Sequence, residues 1–81
     1  MKTTNQTAMS VEEYRERALF VERYLRPLAC AANLGVDDVL LSQSGNIVHV
    51  EFASGQNLKV NVEGDGLGAL VIDVMSKAIH F

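Results

Sequence analysis

The chain has 81 residues, 48% of them hydrophobic, with one Pro and six Gly: enough apolar content for one folded domain and too little length for two. Seven Lys+Arg against ten Asp+Glu leave a net charge of −3, and a surface of that sign is a poor general ligand for nucleic acid, whose phosphates call for a basic face. A single cysteine, Cys30, excludes an internal disulfide and fits a reducing cytoplasm, no apolar run is long enough to span a membrane, and Met1 to Ser10 lacks the apolar segment of a secretory signal.

Residues 1–9 read as a flexible polar arm and residues 10–81 as a single domain. Ser10 with Glu13 three residues on is a capping box, flanked by Met9 and Tyr14 at the positions of a hydrophobic staple. From there Tyr14, Ala18, Val21, Leu25, Leu28 and Ala32 recur at helical spacing, with Phe20, Tyr24 and Ala31 widening the stripe. Charged residues fill the opposite arc, where Glu22 and Arg26 stand at the favourable i,i+4 spacing. Pro27 lacks the N–H that would bond to Arg23, and Gly35 offers a left-handed end. These signals predict a helix over about 11–33, bent near Pro27.

Three short strands follow, each alternating with period two. Val39 and Leu41, then Val48, Val50 and Phe52, then Leu58, Val60 and Val62 form the apolar set. A two-residue turn at Gly45-Asn46 pairs Leu41 with Val50, and a three-residue connection at Ser54-Gly55-Gln56 pairs Val50 with Val60. These registers place Ser42, His49 and Asn61 in one row of the outer face, with Leu40, Glu51 and Lys59 in the next. Asp65 is the natural N-cap of a last helix, on which Leu67, Leu70, Val71, Val74, Met75, Ala78 and Ile79 keep the apolar spacing and Asp73 and Lys77 form an exposed pair. The fold class is α+β, ordered α-β-β-β-α: a three-stranded antiparallel meander with two helices on one face.

That order resembles the double-stranded-RNA-binding domains, which grip phosphates with a lysine cluster opening the second helix and a Gly-Pro-x-His type loop. Here the helix opens Asp65-Gly66-Leu67-Gly68-Ala69, with no cation before Lys77. Residues 34–81 hold two Lys and six Asp/Glu, a balance of 2 − 6 = −4 that repels RNA. The resemblance is one of topology, and direct nucleic-acid binding is disfavoured.

Chemistry finds little purchase. A Ser/His/Asn row could activate a hydroxyl, yet a flat open sheet supplies neither a pocket nor oxyanion donors, so no catalytic residues are assigned. His49, His80 and Cys30 lack metal-ligand spacing, so no metal or cofactor is implied, and Cys30 reads as a buried, inert thiol. His80 beside Phe81 reads as a frayed end. Gly64-Asp65-Gly66-Leu67-Gly68 could hold a phosphate on helix N–H groups, which leaves a small-ligand, nucleotide or homo-oligomeric scaffold role as the alternative. Leu19 among Arg and Glu, with Ile72, Leu40 and Ile47 off their stripes, points instead to a protein-contact surface.

The segment Val60-Asn61-Val62-Glu63-Gly64-Asp65-Gly66-Leu67-Gly68-Ala69-Leu70-Val71-Ile72-Asp73-Val74 resembles the strand–Asp-cap–helix ending of small accessory proteins of bacterial phages and mobile elements. The resemblance implies a small, acidic, non-enzymatic protein that occupies a host protein's surface, as anti-CRISPR and other anti-defence inhibitors do. The expected function is therefore stoichiometric blocking of a host protein, such as a nucleic-acid-binding effector, by a chain that forms a homodimer. Leu19 as apolar anchor and Asp37, Asp38, Glu51, Glu63 and Asp65 as acidic groups are the candidate contacts.

Overall fold

The computed structural model describes residues 9–81; of the arm expected over residues 1–9, residues 1–8 lie outside them, and Met9 packs with the domain. The elements are α1 (Val11–Phe20), a π-helical turn (Val21–Leu25), α2 (Arg26–Ala31), β1 (Val36–Leu41), β2 (Ile47–Phe52), β3 (Asn57–Asn61) and α3 (Leu67–Ile79). The strands form an antiparallel sheet in the order β1-β2-β3, and one core cluster joins its inner face to both helical segments.

The capping box forms as read. The Glu13 N–H donates to Ser10 Oγ and the Ser10 N–H donates to Glu13 Oε1, both at 3.1 Å. The Ser10 backbone bond, and then the Ser10 hydroxyl, hold the Glu13 carboxyl below its ordinary 4.5. Met9 and Tyr14 both lie against Gly45 of the β1–β2 loop.

Beyond Phe20 the helix departs from a regular stripe. The Arg26 N–H bonds to the Val21 carbonyl, five residues back, so the turn before Pro27 carries one extra residue. Widening there relieves the clash of the proline ring with the Arg23 carbonyl. The extra residue also shifts the phase: Val21, Leu25 and Ala29 are buried, while Leu28 and Tyr24 are 49% and 65% exposed. Ala31 and Ala32 are exposed as well. The helix ends at Ala31, and Asn33 (φ 61°) takes the first left-handed position ahead of Gly35 (φ 77°). Arg26 lies 3.7 Å from the Asp38 carboxylate rather than pairing with Glu22.

Every strand keeps the expected face, but both registers slip by two. Leu41 stands opposite Val48 and Val39 opposite Val50; across the second hairpin Val48 faces Val60 and Val50 faces Leu58. The first loop is four residues, Gln43 to Asn46, closed by the Ser42 N–H on the Ile47 carbonyl (2.9 Å) and braced by the Ser42 and Ser44 hydroxyls. The second is Ala53-Ser54-Gly55, closed by the Phe52 N–H on the Gln56 carbonyl, with Gly55 at φ 95°. An even slip preserves the faces, and Val48, Val50, Val60 and Val62 are fully buried. A bulge between Val36 and Asp38 sets Asp37 apart and turns Val36 to the core as well.

One side chain ties the layers together. Arg17 Nη1 donates to the Gly45 carbonyl (3.1 Å) and the Val62 carbonyl (3.0 Å), and Nη2 donates to the Asp65 carbonyl. A single guanidinium thus joins α1 to the β1–β2 loop, the end of β3 and the lead into α3. Its planar fork suits such divided work.

Candidate interaction surface

α3 buries Leu70, Val74 and Ala78, and half-buries Leu67, Val71 and Met75. On the side away from the sheet, Gly68, Ile72, Ser76 and Ile79 follow one another at helical spacing, all exposed and none charged. Ile72 is 69% exposed and Ile79 59%. The apolar character of α3 therefore runs past its buried stripe onto a second face. At the N-terminal end Leu67 joins Leu19, Phe20 and Tyr24 in an open apolar groove rimmed by Glu16 and Arg23. The Phe20 and Tyr24 rings lie 5.5 Å apart in it. At the other end Phe81 stacks on Phe52 with centroids 4.8 Å apart, and His80 Nδ1 lies 2.8 Å from the Ser76 carbonyl oxygen. The C-terminus is thus docked rather than frayed.

The six candidate contacts do not form one cluster. Leu19 lines the groove beside α3, 39% exposed. Asp37 is exposed on the bulge, Asp38 accepts the Val39 N–H (2.8 Å) beside Arg26, and Glu51 faces Asp38 on one side and Asn57 on the other. Glu63 is exposed in the β3–α3 turn, beyond the far end of β3 from Asn57. The acidic groups therefore divide between the two ends of the sheet.

Asp65 departs furthest from its expected role. Gly66 is the N-cap of α3, and no side chain caps that end. Asp65 turns instead toward Asp73, which accordingly does not serve as the exposed partner of Lys77. The Oδ2 of Asp65 is shielded from solvent and meets no donor while both carboxyls are ionised. Protonation of either carboxyl would supply the missing donor. The hydrogen bond to Asp73, then burial, then the Asp73 charge raise the Asp65 carboxyl above its ordinary 3.8, against the opposing pull of Arg17 and Lys77. A carboxyl whose folded pKa is raised contributes stability at acid pH, and loses it as pH climbs through the raised value. We therefore expect Asp73→Asn to raise Tm at pH 7, with the gain over wild type shrinking toward pH 4. Paired melts across that range check it, and an equal gain at both ends would exclude proton sharing.

The same acid pair bears on the glycine loop. An anion on the N–H groups opening α3 would meet Asp65 and Asp73 close by, and the open space beside Gly66 and Gly68 shows no cradle built for it. The outer sheet face also differs from expectation. His49 stands between Leu40 and Lys59, while Ser42 and Asn61 belong to the row of Ile47; the Ser/His/Asn row does not form. Glu51 and Lys59 are diagonal neighbours. Cys30 is exposed, its Sγ 3.8 Å from the Asp37 carbonyl oxygen. Among the described residues no helix is long and apolar enough to cross a membrane.

Sequence reasoning found Leu19 and Ile72 but not the groove or Ile79. It placed Ile79 in the buried stripe, where the spacing alone admits it; the continuation of apolar residues past a half-turn of α3 was the available signal. Comparison with protein-family models, curated proteins and solved structures finds no match for this chain.

Proposed function

We propose that this chain is a non-enzymatic protein-binding module that works by covering a partner's surface. The observation that carries this reading is the uncharged outer face of α3, where Ile72 and Ile79 stand 69% and 59% exposed one above the other. Contiguous exposed apolar side chains with a polar rim are the usual core of a protein contact. The groove of Leu19, Phe20, Tyr24 and Leu67 extends that surface toward α1. The acidic ends of the sheet act in this reading as steering charge for a basic partner, the form expected of a phage or mobile-element inhibitor that occupies a nucleic-acid groove.

The test is affinity capture from host lysate with nuclease present, comparing wild type, Ile72→Glu/Ile79→Glu and Glu51→Lys, each first shown to melt cooperatively. A stoichiometric partner held by wild type and lost, by about tenfold or more, from the double variant is the expected result. Capture unaffected by both substitutions overturns the α3 reading. Loss confined to Glu51→Lys would move the contact to the acidic sheet face.

A further inference from the structure

The two free edges of the sheet are finished differently. On β1 the bulge sets Asp37 out of register, the Asp37 carbonyl takes the Cys30 thiol, and the Val39 N–H, turned away from β2, is held by Asp38 Oδ1 at 2.8 Å. At that edge the Asp37 carbonyl and the Val39 N–H are occupied, while the main-chain groups of Leu41 still face outward. On β3 the parity of the ladder is fixed at both ends: the Phe52 N–H bonds to the Gln56 carbonyl at 2.9 Å, and the Val62 N–H to the Asn46 carbonyl at 2.8 Å. Even-numbered residues of this strand thus turn their main-chain groups to β2, and Asn57, Lys59 and Asn61 turn theirs outward. No hydrogen bond of a loop, cap or side chain reaches those outward groups among the described residues. The three side chains are exposed, and Lys59 is the only charge guarding the edge.

Charge then selects the occupant. A second copy placed antiparallel about a two-fold axis at Asn61 sets Lys59 opposite Glu63 of that copy, and Glu63 opposite its Lys59. Asn61 meets Asn61, and Val60 faces Val62 on the core side, where both are already fully buried. Glu63 lies two residues past the end of the strand, in the turn that the Asp65 N–H closes on the Val62 carbonyl, so its pairing with Lys59 across the axis is one of side-chain charges. Centring the axis on Lys59 instead would oppose two lysines, which is unfavourable. We infer that two copies of this chain join through the outer edge of β3, in the Asn61-centred register, to make one continuous six-stranded sheet. This inference stands apart from the partner-binding reading of α3.

The experiment is sedimentation equilibrium on the full chain, with charge reversals on the edge. Wild type is expected as a two-chain particle, weakening as salt rises. Lys59→Glu and Glu63→Lys should each weaken association by about tenfold or more, and Lys59→Glu/Glu63→Lys should restore it by rebuilding both pairs in swapped order. Because these side chains are exposed, all three variants should keep the wild-type circular dichroism. A wild type that stays monomeric at high micromolar concentration overturns the inference. So does a dimer indifferent to the single reversals, or one that the swap fails to rescue. Loss of the dimer in Ile72→Glu/Ile79→Glu would assign association to α3 and also overturn it.

Discussion

Arg17→Met should be the most damaging substitution of an incompletely buried side chain in this chain, lowering stability by about 3 kcal/mol and Tm by roughly 12–24 °C. The figure follows from what one guanidinium holds. Three carbonyls, of Gly45 in the β1–β2 loop and of Val62 and Asp65 in the turn after β3, lose a charge-assisted donor at once. Methionine keeps much of the apolar stem, so the deficit isolates hydrogen bonding rather than packing. Arg17→Lys should recover only part of it, because an ammonium cannot span three acceptors with the reach of the fork. Urea unfolding of the three proteins checks the order wild type, Lys, Met. A Met variant within 2 °C of wild type would show that solvent satisfies these carbonyls equally well.

Gly45→Ala should rank next, at about 2 kcal/mol or roughly 8–16 °C. Gly45 sits at φ 80°, where a Cβ is disfavoured, and that Cβ would lie 2.7 Å from Met9 Sδ and 3.2 Å from Tyr14 Cδ1. Met9 is flexible and can retreat; the backbone conformation cannot be relieved without moving the carbonyl that Arg17 holds. The two substitutions therefore act on one corner. Their double variant should fall short of the sum of the singles, and a thermodynamic cycle on the four proteins measures that coupling. Full additivity would mean that the loop and α1 are held independently.

The legible parts of this fold were those written within a few residues of each other. Ser10 and Glu13 announce a helix start because both halves of the box lie within one turn. The strands declare their faces because alternation has period two, and Val48, Val50 and Val60 all point where expected. Register is a different quantity. A slip of two leaves every face unchanged, so the pattern cannot distinguish a turn at Gly45-Asn46 from a loop of Gln43 to Asn46. The Ser42 and Ser44 hydroxyls that close the longer loop are visible only once the chain is folded. Arg17 was illegible for another reason, since its partners are main-chain carbonyls that every residue possesses. Asp65 before Gly66 has the form of a cap, but its carboxyl answers to Asp73, eight residues on along the folded helix. Of the candidate surface, the off-stripe Leu19 and Ile72 could be read from periodicity, whereas the groove depends on how α3 sits beside the π-helical turn.

That turn has a geometric consequence for the whole molecule. One residue of α-helix corresponds to about 100° of rotation, so the residue inserted between Val21 and Leu25 sets the azimuth of α1 relative to α2. A chain shortened by one residue there would form a straighter, more regular helix with better local hydrogen bonding. It would also aim Arg17 about a quarter-turn away from the carbonyls it joins. Helical regularity and the tertiary clamp are thus competing minima, and the proline at position 27 tilts the choice by making the regular form sterically costly. The locally imperfect helix is what indexes one half of the structure against the other.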